Sequence, residues 1–243
     1  MELYNNKYIK HHFKYGSAIY NTNTENSDID IICIVDDKHY NTLKNERLYV
    51  CESKVYDCTF LTHTMFQNML DRHEIIAIEC YFSYYPQEFN FTLNKKLLRT
   101  EISKVSSNSW QKTFKKLTVM SDYDKHLAIK SAYHSIRILS FGIQLCTHGK
   151  IVDFTDYSWL LKDLKKLSIE YDYEHLWLQI KSKYEALYKS LRSEFRNLAP
   201  KDNEKFNVED YLMDYILKTS ETNVDENTFK IRKKFAKEIL NRR

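Results

Sequence analysis

Only three glycines and two prolines interrupt 243 residues. Glycine is the residue that reaches positive φ without strain, and proline is the strongest breaker of helices and strands. A chain so poor in both has few ways to turn sharply, which favours long helices and short polar connections. The same scarcity gives each remaining glycine weight. Gly16 stands directly before Ser17, and after ten intervening residues come Asp28-Ile29-Asp30. Hydrophobic residues make up 43% of the chain and aromatics 14%, enough to build a buried core and to exclude wholesale disorder.

The first hundred residues alternate strand and helix patterns. Phe13-Lys14-Tyr15 leads into the Gly16-Ser17 turn, and the polar stretch from Asn21 to Ser27 reads as a loop. Ile29 to Val35 is a β-branched run of strand length, in which period-2 alternation puts Asp28 and Asp30 on one face. Arg47 to Cys51 and Lys54 to Leu61 read as a strand pair joined at Glu52-Ser53, with Val55, Asp57 and Thr59 sharing a face. Thr62 suits the N-cap of a helix from Met65 to Arg72, and a second apolar helix follows from Ile75 to Phe82. From about Glu101 the periodicity becomes helical, through Asp124 to Cys146 with Gly149 just past its end, Tyr157 to Leu167, Tyr173 to Leu198, Val208 to Leu217 and Thr228 to Leu240. The expected fold is α+β: a small mixed sheet flanked by helices over residues 1–100, then an all-helical part over residues 101–243. The charged stretch Lys201-Asp202-Asn203-Glu204 is the clearest late linker.

Lys and Arg exceed Asp and Glu by four, an excess that permits a polyanionic partner without requiring one. Five cysteines without C-x-x-C pairing exclude a zinc-ribbon pattern and fit free thiols in a reducing cytoplasm, or a host cytoplasm if the gene is viral. The polar N-terminus reads as no signal peptide, and no apolar run has the length of a membrane span, so no membrane partner is expected.

Asp28, Asp30 and Asp57 carry the chemistry. Carboxylates two apart on a strand share a face, and hard oxygen ligands suit magnesium, which bridges carboxylates to substrate phosphates. Two such ions can activate an attacking hydroxyl and stabilise a leaving pyrophosphate. Acid pairs also occur on solvated faces by chance, so the preceding Gly16-Ser17 turn and the apolar strand are what favour a site. Asp57 supplies the third ligand from the adjacent strand. Glu52 is a weaker candidate because it sits in a turn with no apolar strand around it. At Gly16 the backbone can approach a triphosphate, with the Ser17 hydroxyl and neighbouring N–H groups as donors. Neither a P-loop nor a dinucleotide fingerprint is present.

These residues resemble the active-site signature of the DNA polymerase beta-like nucleotidyltransferase superfamily. More narrowly, Tyr15-Gly16-Ser17-Ala18-Ile19-Tyr20 with Ser27-Asp28-Ile29-Asp30 is similar to the RNA repair pathway DNA polymerase beta family. So are Tyr56-Asp57-Cys58-Thr59, Phe66 to Leu70, Ile78 to Phe82, Lys130 to His134, Arg137 to Gly142 and Gly149-Lys150-Ile151. The likeness covers roughly residues 13 to 152. Many members have Arg where this chain has Ala18 and Gly where it has Asn21. The resemblance implies a nucleotidyltransferase sheet and transfer of a nucleoside monophosphate from an NTP to an acceptor hydroxyl, with pyrophosphate released. It implies that Asp28 and Asp30 bind two magnesium ions (manganese as the alternative) and that Asp57 binds one and orients or deprotonates the acceptor. The acceptor it implies is an RNA end, tRNA among the candidates. Adenylylation of a small molecule or protein hydroxyl, and a non-catalytic RNA-binding or antitoxin-like module, stand as alternatives. Oligomeric state is left open.

Lys130, His134 and Arg137 recur at i, i+4 and i+7 on one predicted helix. Such a stripe is expected either to face the cleft and neutralise the triphosphate or to lie on a solvated face. On the first reading Arg137→Ala raises the KM for NTP without unfolding the protein. His11-His12, His63 and His73 show no metal-ligand spacing, and the tyrosines at 81–85 and 171–173 are expected in the core or as its cover. The basic tail, Lys230 to Lys234 with Arg242-Arg243, reads as a solubilising segment.

Overall fold

The computed structural model describes residues 8–24, 27–45, 48–51 and 54–201. The Glu52-Ser53 turn, the helices expected at Val208–Leu217 and Thr228–Leu240, the basic tail and most of the late linker lie outside the described residues. Four strands, β1 (Ile9–Lys14), β2 (Ile29–Val35), β3 (Leu48–Cys51) and β4 (Lys54–Thr62), form one sheet in the order β1-β2-β4-β3. β1 runs antiparallel to β2, β2 parallel to β4, and β3 antiparallel to β4, which makes the sheet mixed, as expected.

β2 is central, and its run of β-branched residues is what a strand covered on both faces requires. Ile32 and Ile34 enter the large core under the helices. Ile31, Cys33 and Val35 face the opposite way, into a smaller core with Cys58, Phe60 and Leu43. Leu43 ends α1 (Asp37–Leu43), a helix the periodicity did not announce because Leu43 is its one buried residue. Asp30 alternates with Ile31 and therefore shares the face of Ile32 and Ile34. The end of β2 thus aims a carboxylate toward the helical side.

Helix α2 (His63–Asp71) begins where Thr62 Oγ1 accepts from the Met65 N–H at 3.2 Å, the cap read from the sequence. α3 (Ile75–Tyr84) ends in a left-handed Tyr85. α4 (Lys95–Thr118) starts ahead of Glu101, because Asn94 Oδ1 accepts from the Lys96 and Leu97 N–H groups. The expected boundary at residue 100 therefore falls inside α4. α5 (Lys125–His148) is capped by Asp124, where the helical run was expected to begin, and closed by Gly149 at φ 70°, as the sequence indicated. α6 (Ser158–Glu170) and α7 (Tyr173–Leu198) follow. Almost every residue of α5 from Ala128 to Leu145 is buried, so it is the hub on which α4, α6 and α7 pack. Residues up to Lys201 form one compact unit, sharing one large core between sheet and helices. Among the described residues, no helix is long and apolar enough to cross a membrane.

Candidate active site

Tyr15 leads into a single turn of 3-10 helix, Gly16–Ala18, closed by the Ile19 N–H on the Gly16 carbonyl at 3.2 Å. The Tyr15 N–H donates to the Asp30 carbonyl at 3.0 Å, which ties this turn to the start of β2. Gly16 has φ 66°, and a Cβ built on it would overlap Asp30 Oδ2. Glycine is needed there twice over, for the left-handed backbone and for the room the carboxylate takes up. The Ser17 side chain lies half-buried in the same turn.

Asp30 and Asp57 are direct partners in the parallel pairing of β2 with β4. Adjacent strands lie about 4.8 Å apart, and paired residues project from the same face, so the two carboxylates are neighbours by register. Asp28, two residues before Asp30, lies just ahead of β2 and is exposed. Burial and the negative charges of Asp57 and Asp28 push the Asp30 carboxyl above the usual range, with Lys130 opposing. Lys130 is exposed on α5 and is the one residue of the expected basic stripe whose charge acts on Asp30. Tyr15 and Thr59 belong to the same site. Burial holds the Tyr15 phenol above its usual range; the bond with the Thr59 side chain opposes this, and the charges of Asp30 and Asp57 add to it. Neither residue was singled out from the sequence as functional, although Thr59 was readable on the Asp57 face.

The other two stripe residues require a correction. Arg137 is 3% exposed and lies in the core. Its guanidinium carbon is 3.2 Å from the centre of the Tyr20 ring, and Nη2 is 3.6 Å from Glu79 Oε1. The same nitrogen donates to His134 Nδ1 at 2.8 Å, and the Tyr20 hydroxyl donates to Glu79 Oε2. Burial first, then the Arg137 and Lys112 charges, lower the His134 pKa to about 3, so it is a neutral acceptor. Burial raises Glu79, opposed by Arg137 and by the Tyr20 bond. Arg137 is thus not on a solvated face, and Tyr20, Glu79 and His134 are among the groups it meets. It neutralises a buried acid that no other cation among the described residues reaches.

The remaining candidates take structural places. His73 is 2% exposed and bridges the Asp71 carbonyl (3.1 Å) and the Asn94 N–H (2.8 Å). His63 stacks on Phe89 at 4.4 Å, and His11 meets Glu88 at 2.8 Å. Tyr81 and Tyr85 lie in an aromatic cluster with Phe82 and Phe91, and Tyr173 stacks on Tyr123 at 4.1 Å. Cys33, Cys58 and Cys80 are buried free thiols.

Two hard carboxylates in register, one of them raised in pKa by burial and then by its neighbours' charge, with no hydrogen bond or ion pair to either side chain among the described residues, make a donor set suited to a hard divalent cation. They are not already gathered as a cage: among the described residues no three or more His, Cys, Asp or Glu side chains are grouped to hold a metal ion. Carboxylates without a cation between them repel, and exposed Asp28 is the least constrained of the three.

Residues 3–81 match the family model of the nucleotidyltransferase domain. The nucleotidyltransferase match takes in the described sheet, α1, α2 and most of α3, with the Gly16 turn, Asp28, Asp30 and Asp57 inside it. Lys130 and the helices from α4 onward lie beyond it. The match supports nucleotidyl transfer as the general activity. No curated protein matches the chain.

Proposed function

We propose that the chain transfers a nucleoside monophosphate from an NTP to an acceptor hydroxyl, most closely in the manner of the RNA repair polymerase beta group, with an RNA end, tRNA included, as acceptor. The observation that carries this reading is the pairing of Asp30 with Asp57 beside the Gly16 turn, within the segment that matches the nucleotidyltransferase domain. Asp28, Asp30 and Asp57 would hold magnesium, or manganese in its place. When bound, the ions supply charge neutralisation at the triphosphate and a more acidic acceptor hydroxyl. Gly16 and Ser17 offer the triphosphate a close backbone approach and donors. Lys130, whose charge acts on Asp30, would offset phosphate charge. The acceptor hydroxyl loses its proton toward Asp57, and its oxygen forms a bond to the α-phosphorus. The bond from that phosphorus to the β-bridging oxygen breaks, and pyrophosphate leaves.

The mild positive charge of the chain is compatible with an RNA acceptor, and the resemblance of residues 13 to 152 favours one. The test incubates α-labelled NTPs and magnesium with RNA pools, free protein and small hydroxyl acceptors. Label is expected on RNA ends and is expected to fall at least 100-fold in an Asp28→Asn, Asp30→Asn double variant. Label on protein or small molecules alone would replace the RNA acceptor. Undiminished labelling by the double variant would remove the carboxylates from the reaction.

A further inference from the structure

The C-terminal end of α7 gathers three arginines. Arg192 and Arg196 are one turn apart, so their side chains leave the same face of the helix. Arg99 reaches across from α4: its Nη1 donates to the Arg196 carbonyl at 2.7 Å and also to the Ala199 carbonyl. That placement explains Arg99, since a cation is favoured where a helix ends in unpaired carbonyls. It does not explain the two beside it. The Nε atoms of Arg192 and Arg196 are closed off from solvent and have no hydrogen-bond partner. Burial and the charges of Arg192 and Arg99 hold the Arg196 pKa below its usual value.

The acid nearest to Arg99 on α4 is committed elsewhere: Glu101, two residues on, pairs with Lys104 at 3.7 Å. No carboxylate is ion-paired with any of the three arginines among the described residues. Lys95, one turn before Arg99 on α4, adds a further positive charge. Among the described residues these like charges stand uncompensated, an arrangement that costs stability and that a bound anion would relieve. The cluster is also separate from the carboxylates. Lys130 marks their end of α5, whereas Gly142, roughly 18 Å further along that helix, touches Phe195 beside Arg196.

We infer that Arg99, Arg192 and Arg196 form a second, anion-binding site that takes a phosphate group. Three guanidinium groups from two helices, close enough for their charges to act on one another, match the several acceptor oxygens and the multiple charge of phosphate better than a single carboxylate. The group can belong to a phosphate monoester or to the backbone of a nucleic acid strand. The site stands whether or not the chain is a nucleotidyltransferase.

Thermal unfolding of the full chain tests it, in inorganic phosphate and in chloride at equal ionic strength. Phosphate is expected to raise the melting temperature above the chloride value. Arg192→Gln with Arg196→Gln should remove that increment, while Asp30→Asn, and Lys162→Gln with Lys165→Gln on exposed positions of α6, should keep it. In chloride the arginine double variant should melt no lower than the parent, because its loss relieves repulsion. A lower value there would make the arginines structural and overturn the site, as would equal phosphate increments in parent and double variant. A short single-stranded oligonucleotide separates the sources. Binding lost in the double variant assigns the backbone; a phosphate increment without such binding assigns the monoester.

Discussion

Arg137 shows how one residue changes meaning when its surroundings are known. On a helical repeat with Lys130 and His134 it reads as part of a phosphate-binding stripe. In the structure it lies between the Tyr20 ring and Glu79, with His134 as a neutral acceptor. Arg137→Ala leaves Glu79 as an uncompensated buried acid, and breaking a buried pair in this way costs about 3–5 kcal/mol. Urea unfolding should register that loss as a lower midpoint, replacing the expected effect on KM alone. The pairing was in part legible. Glu79 is the one charge in Ile75-Ile76-Ala77-Ile78-Glu79-Cys80, and Arg137 is the one charge in Ser135-Ile136-Arg137-Ile138-Leu139. Charges isolated in apolar runs demand partners. What the sequence could not supply was that these two runs meet. That Gly16, Asp30 and Asp57 come together was legible because they lie on one turn and two strands close in sequence.

At the scale of elements, the long periodic helices and the capped ends were read well because their signals repeat or are single residues with one job. Thr62, Asp124 and Gly149 mark the ends they were expected to mark. α1 was missed because a seven-residue helix with one buried side chain has no period to detect. The start of α4 was placed late because the polar Lys95-Lys96 pair hides behind a good cap, Asn94. Gly142 has a role that spacing did not reveal. A Cβ there would lie 2.8 Å from the Phe195 ring and 3.1 Å from Ile102 Cγ2. Gly142→Ala should gain up to about 1 kcal/mol of helix propensity and lose about 1–3 kcal/mol to overpacking. Denaturant unfolding is expected to show a net loss, since α4, α5 and α7 have no room to separate without uncovering the core.

For the whole molecule, the large core is the organising fact. It takes Phe13, Ile32 and Ile34 from the sheet and Ile102, Ile138 and Phe195 from the later helices. A division of labour between residues 1–100 and 101–243 is therefore a proposal about function, carried on one body up to Lys201. A fragment ending at residue 100 would cut α4 and lose α5 and α7, which supply much of the core shared with the sheet. It should show no cooperative thermal transition by circular dichroism, whereas residues 1–201 should retain one. The register of β2 with β4 has a consequence for how such a chain can vary over time. Between β2 and β4, length changes outside α1 and β3 need not alter the pairing, because the residue that faces Asp30 is decided within the strands. One residue inserted between Lys54 and Asp57 does decide it: the strand must bulge to absorb the extra residue or slide by a step, and sliding would bring an aromatic ring opposite Asp30. Tolerance to insertion should therefore change abruptly at the strand's edge, from permissive to forbidden within a few codons.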